Sequence, residues 1–155
     1  MQIHIIAIGD RMPGWVEAGY TEYARRMPRE CRLLLHEIRA SRRTKGADLH
    51  RLIEQEGARQ WGAIPAGARV VALDRTGKTL DTEKLANELK KRLAVGGDMA
   101  LLVGGPEGLA PDCLERAHER WALSPMTLAH PVVRVVLAEQ LYRAWSIIRN
   151  LPYHR

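Results

Sequence analysis

Residues 70–73 (VVAL) and 100–103 (ALLV) carry no polar side chain at all, and this limits the fold more than any other feature of the chain. A strand with one wet face alternates polar and apolar residues. A strand that is apolar throughout is covered on both faces, the situation of a parallel sheet whose crossover helices lie above and below it. Apolar periodicity adds strands at 3–8, 32–38, 69–73, 99–103 and 121–123, with helices at 15–27, 48–59, 81–95, 111–120 and 132–150. The expected class is α/β, a mainly parallel sheet with flanking helices. At 155 residues the chain fits one domain, spanning 1–155, without room for a separate nucleic-acid-binding module.

In open sheets of this class ligands gather at the carboxyl ends of strands. Three predicted strand ends, at Leu73, Val103 and Leu123, would deliver loops to one edge. The second of these runs into GGPEGL, residues 104–109, where Gly104, Gly105 and Gly108 leave bare backbone that a ligand can approach closely. An ordinary strand-to-helix turn also uses glycine and proline. The loop lacks the spacing of a dinucleotide fingerprint and the Lys-Ser/Thr pair of a P-loop. What remains suits a mostly uncharged ligand held by backbone amides and carbonyls.

The formal net charge of +6 favours a polyanionic partner. One basic cluster, Arg39, Arg42, Arg43 and Lys45, reads equally as a solvated loop or an RNA contact. A second gathers Arg134, Arg143, Arg149 and Arg155 with His130 and His154 near the C-terminus, and Tyr153 adds a surface on which a base could stack. In the last helix Val133, Val136, Leu137, Leu141, Ala144, Trp145 and Ile148 share one face, either core or core continued into a subunit contact. Cys31 and Cys113 make no disulfide framework, no Cys or His spacing matches a metal site, and no apolar run spans a bilayer. The start MQIHIIAIG reads as a strand and not as a signal peptide, so a cytoplasmic protein is expected. Neither Ser124 nor Ser146 sits in a nucleophile elbow, and no paired-carboxylate motif stands out.

Taken in order, IHIIAIGDRMPGWVEAGYTEYARRMP (3–28), RRTKGAD (42–48), VVALDRTGK (70–78), LLVGGPEGL (101–109), LSPMTLAHPVVRVVLAEQLYRAWSIIRN (123–150) and PYHR (152–155) resemble the RlmH family of 23S rRNA pseudouridine-N3 methyltransferases, members of the SPOUT superfamily. The resemblance covers nearly the whole chain. It implies an α/β knot with the C-terminal segment threaded through a loop, a topology that no periodicity predicts. It also implies S-adenosylmethionine as cofactor, a homodimer, and methylation of N3 of a pseudouridine in 23S rRNA on assembled ribosomes. Carried over by position, the cofactor residues would be Leu73, Gly104, Leu123, Ser124, Pro125, Met126, Thr127 and Leu128, to which the residue reading adds Gly105 and Gly108. Arg134, Arg143, Tyr153, His154 and Arg155 are the expected RNA-binding residues, with His130 and His154 as candidates for the base that takes the N3 proton. Two other readings are a noncatalytic ribosome-associated RNA-binding factor and a SPOUT methyltransferase acting on tRNA. The PYHR tail favours rRNA, and the intact 123–128 run argues against lost cofactor binding.

Overall fold

The computed structural model describes residues 1–154, with side chains through Tyr153. Its elements run β1 (Gln2–Ile8), α1 (Gly14–Ala24), β2 (Arg32–Ile38), α2 (Leu49–Gly62), β3 (Arg69–Thr79), α3 (Thr82–Val95), β4 (Met99–Val103), α4 (Pro111–Arg116), β5 (Glu119–Ala122) and α5 (His130–Ile148). The five strands form one parallel sheet in the order β2-β1-β4-β3-β5. The α/β class and the parallel sheet read from the sequence therefore hold. Successive side chains of a strand point to opposite faces. Ile3, Ile5, Val71, Met99 and Leu101 accordingly pack with Leu85, Leu89, Leu137 and Leu141 of α3 and α5. Ile6, Val70, Ala72, Ala100 and Leu102 turn the other way, onto the layer of α2 and α4 that supplies Ile53, Trp61 and Cys113. This two-sided burial is why VVAL and ALLV contain nothing polar.

Four boundaries that differ from the sequence reading have a local reason. β3 does not end at Leu73 but continues to Thr79, with Leu73 and Lys78 both paired to Trp121 across an irregularity. Gly77 permits this return, since a Cβ there would lie 2.6 Å from the carbonyl carbon of Arg120. Helix α4 stops at Arg116 because the following residues are drawn to the sheet: the His118 amide donates to the Val70 carbonyl at 3.0 Å, and the Val70 amide donates to His118 Nδ1 at 3.0 Å. β5 consequently begins at Glu119, two residues before the expected start. Helix α1 closes at Ala24, short of the expected Met27, in keeping with Pro28, which disfavours helical backbone in the residue before it.

Two buried polar side chains tie helices to the carboxyl edge of the sheet. Gln60 of α2 donates through Nε2 to the carbonyls of Ile6, at 2.7 Å, and Val103, at 3.1 Å, bridging β1 and β4. Arg134, with none of its surface exposed, donates from α5 to the carbonyls of Ile8, at 3.1 Å, and Gly9, at 2.7 Å, and pairs with Glu37 Oε1 of β2 at 2.6 Å. This overturns the expectation that Arg134 touches RNA. Burial pushes its pKa down, yet a guanidinium stays charged in proteins and must be compensated, which the two carbonyls and Glu37 do.

Replacing Arg134 by Met should therefore lower stability by roughly 2–4 kcal/mol in urea denaturation, because two carbonyls lose a charged donor. Asp81 caps α3 by accepting from the Lys84 amide at 2.8 Å, and Asp81→Ala should cost only about 1 kcal/mol. An Arg134→Met protein of unchanged stability would return this side chain to the RNA-binding set.

Candidate functional site

The carboxyl ends of β4 and β5 and the irregularity of β3 at Leu73–Arg75 open onto a cleft of about 700 Å³. Leu73, Gly104, Gly105, Gly108, Leu123, Ser124, Met126, Thr127 and Leu128 all line it, and Pro125, exposed, lies in the same loop outside the lining. The loops after β4 and β5 meet there, as expected from the parallel sheet, whereas Leu73 contributes from within β3.

Close backbone packing builds the glycine wall. A Cβ on Gly104 would sit 2.4 Å from the carbonyl carbon of Gly108, so no larger residue fits unless the turn opens. Gly108 adopts φ +87°, and its amide donates to the Gly105 carbonyl at 3.0 Å. The turn between them carries Pro106 and Glu107 at its tip. The facing wall is the 123–130 loop, where Ser124 Oγ accepts from the Met126 amide at 2.9 Å and so holds the bend. Leu73, Val103, Leu123, Leu128 and Val133 make the interior mostly apolar.

Four ionisable side chains, Asp74, Arg75, Glu107 and His130, line this apolar setting. His130 opens α5, and its Nδ1 is buried without a hydrogen-bond partner among the described residues. Burial, then the Arg134 charge, hold its pKa below the ordinary histidine value, against a smaller opposing effect of Glu107. The imidazole is neutral at physiological pH. Glu107 is kept ionised by Arg43, whose Nη2 donates to Oε2 at 2.6 Å. Asp74, at the β3 irregularity, accepts from the Thr76 hydroxyl, which lowers its pKa, and from the Thr76 amide at 2.9 Å. Glu107 and Asp74 escaped the sequence reading as side chains. Glu107 stood in the quoted glycine turn, whereas Asp74 reaches the cleft only through the looped course of β3.

The expected RNA-binding residues do not converge on the cleft. Arg134 is buried as described. Arg143 lies two to three turns further along α5, donates to Glu139 Oε1 at 2.9 and 2.5 Å, and covers the Tyr153 ring at 4.9 Å. The Tyr153 hydroxyl donates to the same Glu139 oxygen at 3.0 Å, so these two meet each other in a cluster with Tyr23, Tyr142 and Arg26. The His154 side chain and Arg155 lie outside the described residues. Among the described residues no group of three His, Cys, Asp or Glu side chains could hold a metal ion, and no helix is long and apolar enough to cross a membrane.

Comparison with known proteins places this geometry. A family model described as predicted SPOUT methyltransferase matches residues 1–154. The ribosomal RNA large subunit methyltransferase H of Thioalkalivibrio sulfidiphilus is 56% identical over 155 residues, covering 100% of this chain and 99% of the relative. The protein of the same name from Methylococcus capsulatus is 52% identical, with 100% of both chains covered. A solved structure of a probable methylase family protein from Haemophilus influenzae Rd KW20 shares the fold at a TM-score of 0.56 with 14% identity, covering 96% of this chain and 68% of the other. On the full-length family match and identities above one half, the chain belongs to the SPOUT methyltransferase family, among the ribosomal RNA large subunit methyltransferase H proteins.

Proposed function

We propose that this single-domain protein is an S-adenosylmethionine-dependent methyltransferase that methylates N3 of a pseudouridine in 23S rRNA on assembled ribosomes, as a cytoplasmic homodimer. The observation that carries the reading is the cleft: of the ten expected cofactor residues only Pro125 is not part of its lining. Relatives more than half identical that are named for large-subunit rRNA supply the substrate class. The reading includes a C-terminal segment threaded through a preceding loop, as the family resemblance implies.

The residues present fit the cofactor. A volume near 700 Å³ falls in the range of small-molecule sites, and the combination of apolar walls with exposed backbone groups suits an adenine, a ribose and a thioether-like chain. A Cβ at Gly108 would enter open space, so the turn presents bare backbone beside the cleft. When bound, S-adenosylmethionine supplies a methyl group already activated on a sulfonium. The chain then has to orient the acceptor nitrogen, exclude water and take one proton. Leu73, Leu123 and Leu128 exclude water from the interior. His130, neutral and lining the cleft, is suited to accept the imide proton from N3 through an imidazole nitrogen. Its low pKa means that this acceptor form persists as pH falls below 6.5, the ordinary value, before protonation removes it.

Transfer of labelled methyl from S-adenosylmethionine to ribosomes taken from cells lacking the protein should mark pseudouridine in large-subunit rRNA. Label appearing on tRNA alone, or on no RNA, would overturn the substrate assignment. Gly104→Ala should weaken cofactor binding at least tenfold in calorimetry while the protein remains folded by circular dichroism. His130→Gln should lower kcat by roughly a hundredfold and leave cofactor affinity within about threefold. An unchanged kcat would assign the proton to another group.

A further inference from the structure

The basic loop at 39–47 is not a loosely solvated segment. Its backbone is fastened to α2, since Arg59 Nη2 donates to the Arg39 carbonyl at 3.1 Å and to Ser41 Oγ at 2.8 Å. The Ser41 amide also donates to Glu56 Oε1 at 2.7 Å, and Glu56 is buried. Arg43 lies at the centre. It pairs with Glu56 through both terminal nitrogens, donates to the Ser41 carbonyl at 2.7 Å, and reaches across to the glycine turn to hold Glu107 at 2.6 Å. Glu107 itself lines the cleft. A continuous chain of charged contacts thus runs from the cleft wall through Glu107 and Arg43 into the loop.

The remaining cations of the loop are placed differently. Arg39, Arg42 and Lys45 are exposed, and among the described residues they enter no ion pair. Three unpaired cations on a backbone held rigid by α2 form a surface suited to phosphates, because holding the loop in advance removes the ordering cost of binding. With a net charge of +6 and no acidic side chain between residues 39 and 47, the complementary partner is a nucleic-acid backbone.

We propose that the Glu107–Arg43 pair is a positioning link that couples occupancy of the cofactor cleft to the RNA affinity of the 39–47 loop. This rests on the methyltransferase reading above. A ligand that fills the cleft packs against the Gly105–Gly108 turn and fixes Glu107. Glu107 holds Arg43, and Arg43 holds the loop at Ser41, so a fixed turn narrows the motion that α2 leaves to the phosphate-facing cations. Coupling of this kind is reciprocal: RNA on the loop also tightens the cofactor product in the cleft. Arg43 and Glu107 act through the loop and need not touch RNA themselves.

The test measures binding of the full-length protein to ribosomes from cells lacking it, with and without saturating S-adenosylhomocysteine. The wild-type protein should bind fivefold or more tightly with the cofactor product present, within the usual range of such coupling. Glu107→Ala, assayed at S-adenosylhomocysteine concentrations shown by calorimetry to saturate that variant, should reduce that ratio to less than about twofold. Glu56 and its pairing with Arg43 survive in this variant, so the loop keeps its fold. The triple variant Arg39→Gln, Arg42→Gln, Lys45→Gln should bind ribosomes at least tenfold more weakly and show a shallower dependence on salt. A wild-type ratio near one, a Glu107→Ala ratio equal to wild type, or a triple variant of unchanged affinity each overturns the link. Methyl transfer by the wild-type protein in the same preparation separates the two ideas: transfer without coupling sinks the link alone, and absence of transfer sinks the enzyme assignment.

Discussion

Arg134 places a permanent positive charge inside the protein at the point where β1 ends, and the carboxyl edge is arranged around it. The guanidinium cannot give up its proton, so burial is tolerated only because two main-chain carbonyls and the Glu37 carboxylate meet it. Each of those partners is at a strand end. Satisfying the charge therefore fixes the start of α5 against β1 and β2 together. The 123–130 loop enters α5 directly, so the wall of the cleft opposite the glycine turn is positioned by this same interaction. His130, four residues before Arg134 on the same helix, takes its lowered pKa partly from that charge.

The second wall has a different physical origin. It depends on main chain approaching main chain more closely than any side chain permits, at Gly104 against Gly108. Gln60 secures the strand behind it by bridging the Ile6 and Val103 carbonyls, which closes the seam between β1 and β4 just before the turn begins. The cleft is thus bounded on one side by a buried charge that orients a helix and on the other by glycines that bring two backbones together. Both devices leave the interior apolar, and an apolar interior with backbone groups at its margins suits a cofactor whose reactive centre needs little help beyond position.

The resemblance to relatives and the bare rule about strand ends select the same loops, and the reason is geometric. Parallel strands run to one edge, so the loops at Gly104 and Leu123 leave it together, and Leu73, 50 residues before Leu123, joins them where β3 breaks its pairing. What escaped that reasoning was every role depending on where a long side chain ends up. Arg134 looked like one more cation of a basic C-terminal cluster, because its place on the helix surface gave no sign of the carbonyls waiting for it. Arg43 read equally as part of a solvated loop or as an RNA contact, yet two carboxylates from distant segments, Glu56 and Glu107, hold it. The extra length of β3 was hidden for a related reason: DRTGK reads as a turn, and Gly77 returns the strand to β5 only because Arg120 and Trp121 lie against it.

The sequence by itself determined the parallel α/β sheet, since strands apolar on both faces that alternate with helices need helix layers on both sides, and it determined the glycine turn, since close backbone approach needs residues without a Cβ. These are local properties, written in patterns of two and in the absence of side chains. Only the tertiary structure decided which cations face solvent and which are neutralised within the fold. Charges separated by tens of residues meet through the packing of helices on the sheet, and the cost of burying an unpaired charge makes that packing choose their partners.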